Sequence, residues 1–139
     1  MVDPSNVPSQ RVVAAVVRRG DRVLVCRRPA HKRHGGLWEF PGGKVAAGET
    51  DADAISRELN EELGVTLMHA EAAEFEAVDP QSPFLIAFVP AAIDGEPACH
   101  EHSELRWATP EELKELSLAP SDARYAEWLA RSNERRDVA

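Results

Sequence analysis

Cysteine is nearly missing from this chain: among 139 residues only Cys26 and Cys99 carry a thiol. They stand alone, without the paired spacing of a metal-binding cysteine site, and a disulfide framework is excluded as a source of stability. Two idle thiols fit a reducing compartment, and a cytoplasmic protein is expected. Long apolar runs are missing too. Nothing approaches the roughly 20 residues needed to cross a bilayer, and MVDPSNVPSQ at the start lacks the charged-then-apolar plan of a secretory leader. No membrane partner is expected. Positive charge is also short, with 16 Lys and Arg against 24 Asp and Glu, a net charge of −8. That argues against a surface for long nucleic acid, which shows a basic stripe. A small anionic ligand stays compatible, provided a divalent cation and a few arginines reverse the field locally.

What is present describes one folded domain. Apolar residues make up 43% of the chain, enough for a core at this length, and no repeat or low-complexity stretch interrupts it. RVVAAVVRR (11–19) and RVLVCRR (22–28) are β-branched runs split by Gly20-Asp21, a hairpin turn. Their continuous apolar character predicts strands covered on both faces. Residues 29–43 read as a loop with a short extended piece at 37–40. Strands are expected over about 67–78, over 84–92 and at 104–107. Thr109-Pro110-Glu111-Glu112 is a helix start with a capping threonine, proline at the first helical position and glutamate at the third. A last helix is expected over about 121–131. Strands with helices available for both faces predict an α/β layered sandwich. Its extent is set at 10–132, between a frayed lead-in over 1–9 and a flexible tail over 133–139.

The chemistry concentrates in GGKVAAGETDADAISRELNEELGV (42–65). Thr50 caps a helix over 51–63, Asp51 and Asp53 favour its positive end, and Gly64 stops it. Ala52, Ile55, Leu59 and Leu63 form the packing stripe. Glu58, Glu61 and Glu62 then share a face at the edge of that stripe. Like charges three and four apart repel by about 0.2–0.5 kcal/mol per pair, a cost that either a solvated surface or a bound cation removes. Hard divalent ions take oxygen ligands, and Mg²⁺ is held by one or two carboxylates with water and substrate phosphate. Arg57 is placed to pair back to Glu49 and fix the loop against the helix.

The full spacing resembles the Nudix box at every defined position: Gly43, five residues, Glu49, seven residues, Arg57-Glu58-Leu59, one residue, Glu61-Glu62, one residue, Gly64-Val65. The resemblance continues through Arg27-Arg28, through Leu37-Trp38-Glu39-Phe40-Pro41-Gly42-Gly43-Lys44, and through Leu118-Ala119-Pro120-Ser121-Asp122. These look like the MutT branch of that family. The likeness implies an α/β/α sandwich with a mixed sheet. It also implies a Mg²⁺- or Mn²⁺-dependent enzyme that releases pyrophosphate and a nucleoside monophosphate from a small-molecule nucleoside triphosphate. Cytosine nucleotides, 8-oxo-dGTP, or both are the implied substrates, with nucleotide-pool sanitation and DNA repair as the setting. The rival readings are an ADP-ribose or dinucleotide polyphosphate hydrolase, and a non-catalytic nucleotide-binding module that has kept its box. A monomer is the default, with a dimer left open.

Carried onto this sequence, the resemblance makes Glu58, Glu61, Glu62 and Glu101 metal ligands, with the carbonyl of Gly43 beside them. Glu58, Glu61 and Glu101 are the catalytic candidates; the residues leave open whether Glu58 or Glu101 is the base. Arg28 matches the phosphate-contacting arginine, whose guanidinium grips phosphate with two bonds. Arg33, in the His31-Lys32-Arg33-His34 loop, is a second triphosphate contact unless that loop is plain surface. Glu39, Phe40, Pro41 and Gly42 enter the substrate site by the same likeness, with Phe40 stacking on or walling in the base. Trp38 is a weaker candidate for that role, and Trp107 reads as core. Asp122 occupies the base-contacting position, or else it or Ser121 caps the last helix. When ionised, an aspartate only accepts hydrogen bonds, which suits a base edge that presents N–H donors.

Overall fold

A computed structural model describes residues 9–78 and 82–138. Apart from Ser9, the expected lead-in lies outside the described residues. The chain runs β1 (Gln10–Arg19), β2 (Arg22–Arg27), β3 (Trp38–Glu39), β4 (Gly42–Lys44), α1 (Asp51–Leu63), β5 (Thr66–Ala70), β6 (Phe75–Val78), β7 (Phe84–Asp94), β8 (Glu104–Ala108), α2 (Pro110–Leu113) and α3 (Pro120–Val138). The sheet is mixed. β1 lies parallel to β7 from Gln10 opposite Phe84 to Val17 opposite Ala91, while the other pairings are antiparallel.

Strand alternation sends β1, β2 and β7 side chains to opposite faces, and both faces are covered. Val13, Ala15, Val17, Leu24, Cys26, Ala87 and Val89 pack with Ala54, Ile55, Leu59 and Leu63 of α1. Ala14, Val16, Val23, Val25 and Phe88 pack on the other side with Leu113, Tyr125, Ala126 and Leu129. This is the expected α/β/α sandwich. The continuous apolar runs of the strands exist because each strand has two interiors to fill.

Two expectations need correction. The stretch 67–78 is not one strand but two, β5 and β6, laid end to end along β7. The break falls opposite Pro90, whose carbonyl accepts from Glu71 N at 2.9 Å but which has no N–H to return to the ladder. The last helix also runs past the expected end at 131 to Val138. The segment beyond 131 holds no proline or glycine to stop a helix, and Arg131 pairs one turn back with Glu127.

One feature of the topology makes the site. The far end of β1 pairs with β2 at Arg18 and Arg19, whereas its near half, Val12–Ala14, pairs with β4. β2 carries β3 and β8 away with it. The sheet therefore forks, and the cleft lies along the fork.

Candidate active site

The box helix is held by its ends. Thr50 and Asp53 form a reciprocal capping box, and Gly64, at φ 69°, closes the C-terminus in the left-handed region. Arg57 then binds the incoming loop: its Nε and Nη2 donate to the two oxygens of Glu49 at 2.9 and 2.8 Å, and Nη2 also reaches the Lys44 carbonyl. That guanidinium holds Glu49 down at about 2, well below the usual carboxylate range. The pairing expected from the sequence is present, and it presses β4 onto α1. Gly43 packs directly against this helix: a Cβ there would stand 2.5 Å from Glu58 Cδ, so the Glu58 carboxylate would have to move aside.

The three box glutamates differ in placement. Glu62 is buried, and its Oε2 accepts the Gly42 N–H at 3.1 Å. Glu58 is nearly as enclosed and takes Arg57 Nη1 on Oε1 at 2.7 Å. Glu61 points outward with 52% of its side chain exposed, 3.8 Å from Arg57, and does not line the cleft. The sequence brings all three to one helix face, but the fold turns only Glu58 and Glu62 inward. Glu101 joins them from the loop before β8. No hydrogen bond or ion pair engages its carboxylate among the described residues.

Burial first, then the charges of Glu58, Glu39 and Glu101, push the Glu62 carboxyl up to about 9. No three His, Cys, Asp or Glu side chains among the described residues form a ready-made cage, and Mg²⁺ does not require one when substrate phosphate completes its shell. Glu58, Glu62 and Glu101 all line this cleft, with Gly43 packed against the Glu58 carboxylate, and such oxygen donors suit a hard divalent ion.

The cleft holds ≈ 500 Å³, a volume in the range of nucleotide-sized ligands. Arg28, Arg33 and His34 line it as well, and so does Lys44, whose Nζ stands 5.4 Å from the Phe84 ring centroid. Arg28 is aimed from below, with Nε donating to the Arg33 carbonyl at 2.7 Å and Nη1 to Glu39 Oε1 at 3.0 Å. His31 and Lys32 do not line the cleft, so only half of the expected basic loop reaches it. Glu39 lines the cleft while its carboxylate serves Arg28 and His102: burial alone would raise its carboxyl, but those two partners hold it below the ordinary range. Pro41 is buried outside the cleft, its carbonyl accepting Ala15 N. Gly42 lines it.

Val12, Ala14, Phe84 and Ile86 form an apolar wall. Phe40 closes the floor, but its ring is 3% exposed and meets Phe88 and Tyr125 edge-on at 5.9 and 5.1 Å. No face is left to stack on a base, so of the two expected roles only walling remains. Trp38 is likewise core. Trp107 is half-buried on the opposite face, with Arg19 4.1 Å above its ring.

Asp122 does not cap α3, and neither does Ser121, because the helix already begins at Pro120. Its buried Oδ1 instead accepts the Phe40 N–H at 2.9 Å, tying α3 to the segment that enters the box. Burial pushes this carboxyl up to about 7. The acceptor-only reading therefore gives way to a group that both accepts and donates near neutral pH.

Sequence reasoning passed over Phe84, Ile86, Val12 and Lys44. Lys44 carried a local signal, since it adjoins the box. The apolar wall had none, because only the parallel pairing of β1 with β7 brings residues 12 and 86 together.

Residues 8–129 match the NUDIX domain model. The CTP pyrophosphohydrolase of Escherichia coli K12 is 40% identical over 113 residues, which cover 80% of this chain and 84% of the relative. An 8-oxo-dGTP diphosphatase of Haemophilus influenzae is 39% identical over 94 residues, covering 66% of this chain and 68% of the relative. A solved MutT structure, from work on Aliivibrio salmonicida and Vibrio cholerae, superposes with a TM-score of 0.76 at 28% identity, covering 88% of this chain and 98% of that one. With the box helix capped, clamped and turned into a nucleotide-sized cleft as above, this chain belongs to the Nudix family and is a MutT-like Nudix hydrolase.

Proposed function

We propose that this chain hydrolyses a nucleoside triphosphate to the monophosphate and pyrophosphate, using Mg²⁺ or Mn²⁺, with cytosine nucleotides, 8-oxo-dGTP, or both as substrates. The observation that carries this reading is the lining of this cleft, which combines Arg28, Arg33 and Lys44 with Glu58, Glu62 and Glu101 and adds an apolar wall and Asp122. A triphosphate suits the charged lining and a base the apolar wall. The names of the E. coli and H. influenzae relatives support the two substrate classes.

Glu58, Glu62 and Glu101, with the Gly43 carbonyl, are the residues that would hold the ion, and Glu61 would join through water. When bound, a divalent ion neutralises phosphate charge and makes a coordinated water more acidic. The chain's own residues do the rest. Arg28 grips the phosphates, its guanidinium already oriented by Glu39 and the Arg33 carbonyl. A carboxylate takes a proton from water as its oxygen bonds to the β-phosphorus. The bond from that phosphorus to the α–β bridging oxygen breaks, and the monophosphate leaves with the bridging oxygen. Glu101 is the better placed base, since Glu58 has one oxygen committed to Arg57. The Phe40 N–H and Asp122 fix the inner end of the slot, where the second Asp122 oxygen is available to a base edge.

A product-resolved assay with Mg²⁺ tests this against CTP, dCTP, 5-methyl-dCTP, dGTP, 8-oxo-dGTP, ADP-ribose and a dinucleotide polyphosphate. Monophosphate with pyrophosphate from a cytosine or oxidised-guanine nucleotide is expected. Turnover confined to ADP-ribose or the dinucleotide would move the enzyme to the rival branch. Nucleotide binding without turnover would make it a binding module.

A further inference from the structure

His102 differs from a surface histidine. Its side chain is 5% exposed, with Nε2 2.9 Å from Glu39 Oε2. Its Nδ1 is enclosed and has no hydrogen-bond partner. Two neighbours keep the Glu39 carboxylate ionised, and a carboxylate in that state only accepts, so Nε2 carries the hydrogen and donates. An unpaired buried polar atom costs about 1–3 kcal/mol, and such exceptions in native proteins call for a reason.

The surroundings supply one. Glu39 gives its other oxygen to Arg28 Nη1 at 3.0 Å, so a chain of charge-assisted bonds runs from Arg28 through Glu39 to His102. At its far end stands the loop before β8. That loop is tied at three points: Ala98 N donates to the Leu63 carbonyl, His100 N to the Glu62 carbonyl and Ser103 N to the Arg27 carbonyl, each at 3.0 Å. Between them, Glu101 reaches into the cleft without a partner of its own among the described residues. Between the backbone ties at 100 and 103, the buried imidazole of His102 supplies the side-chain anchor, on Glu39.

We propose that His102 is a positioning residue: by donating to Glu39 it locks the phosphate-gripping Arg28 and the loop that presents Glu101 into a single arrangement. It does not line the cleft, and its Nε2 stands 3.8 Å from Glu62 Oε1. The inference rests on the function proposed above, in which Arg28 and Glu101 act on the same phosphate chain.

The test compares His102→Phe, which keeps bulk and loses the donor, with His102→Gln, whose amide N–H can restore it. In the full-length enzyme, His102→Phe is expected to lower kcat by about 10- to 100-fold, with KM changed by about threefold at most. His102→Gln is expected to recover to within about threefold of wild type. A readout free of turnover and of metal is the calorimetric affinity for an α,β-imido nucleoside triphosphate. It should weaken about fivefold in the Phe variant, as Arg28 loosens, and recover in the Gln variant. If both variants match wild type in kcat and in affinity, or lose both in proportion to a fall in Tm with no rescue by glutamine, the positioning role is overturned. If the wild type releases no pyrophosphate yet binds the analogue, the proposed function fails, and the affinity comparison alone decides the role of His102. A wild type that does neither overturns both.

Discussion

Glu62 and Asp122 are both buried carboxylates, each accepting one backbone N–H from the segment that leads into the box: Gly42 for Glu62 and Phe40 for Asp122. Both are pushed up by burial, yet one reaches about 9 and the other about 7. The difference lies in their neighbours. Around Glu62 stand Glu58, Glu39 and Glu101, so its negative charge is compounded; Asp122 adjoins the apolar slot, where Glu39 adds a smaller push and Arg28 pulls back. Burial is the largest cause at both, so the extra rise at Glu62 reflects the added carboxylates around it.

The comparison breaks most sharply at Glu62. Glu62→Gln should lower Mg²⁺-supported kcat by roughly 100-fold or more, since several kcal/mol of charge stabilisation is lost, while the metal-free protein melts no lower than wild type at pH 8. Steady-state kinetics and thermal melts check the two halves of that statement. Next in size, Asp122→Asn should shift the ratio of kcat/KM between a cytosine nucleotide and 8-oxo-dGTP by about 10-fold or more, because a group able to donate or accept is replaced by an amide with fixed roles. An unchanged ratio would remove Asp122 from base recognition. Glu61→Gln, altering a side chain that faces out, should cost at least about 10-fold less in kcat than Glu62→Gln, a ranking read from parallel assays under one Mg²⁺ concentration.

The smallest effect is one of pH. Folding raises the Glu62 carboxyl from its ordinary 4.5 to about 9, so in that interval the folded chain holds a proton the unfolded chain has lost. Stability from this group is full below about 4.5 and is lost as pH rises toward 9, with a slope of at most about 1.4 kcal/mol per pH unit. Asp122 adds the same sign up to about 7. Melts of the metal-free protein should therefore fall between pH 6 and 8.5. The Glu62→Gln variant should fall less, and Mg²⁺ should raise Tm more at pH 8.5 than at pH 6.

Much of the site was legible because it is local. The spacing from Gly43 to Gly64 is a loop and a helix whose caps, clamp and carboxylates all lie within 22 residues, so the Arg57–Glu49 pair, the capping threonine and the glycine stop could be named from the chain alone. Phe40 shows the limit. Its place before Pro41-Gly42-Gly43 put it near the substrate, but whether its ring faced the base or the core depended on Phe88 and Tyr125, 48 and 85 residues away. Glu61 shows another: helical periodicity groups it with Glu58 and Glu62, and only the angle at which α1 meets β4 turns it outward.

The sequence by itself determined the alternation that fills two interiors, the position and ends of the box helix, and the family, because each depends on residues within a few turns or strands of one another. Tertiary structure alone decided the fork between β2 and β4, the parallel pairing that sets Val12 beside Ile86, the split of β5 from β6 opposite Pro90, and the bond from His102 to Glu39 across 63 positions. Those contacts are non-local. No period or motif in a single chain encodes which distant strand or loop will close beside it, and the cleft is made where such closures meet.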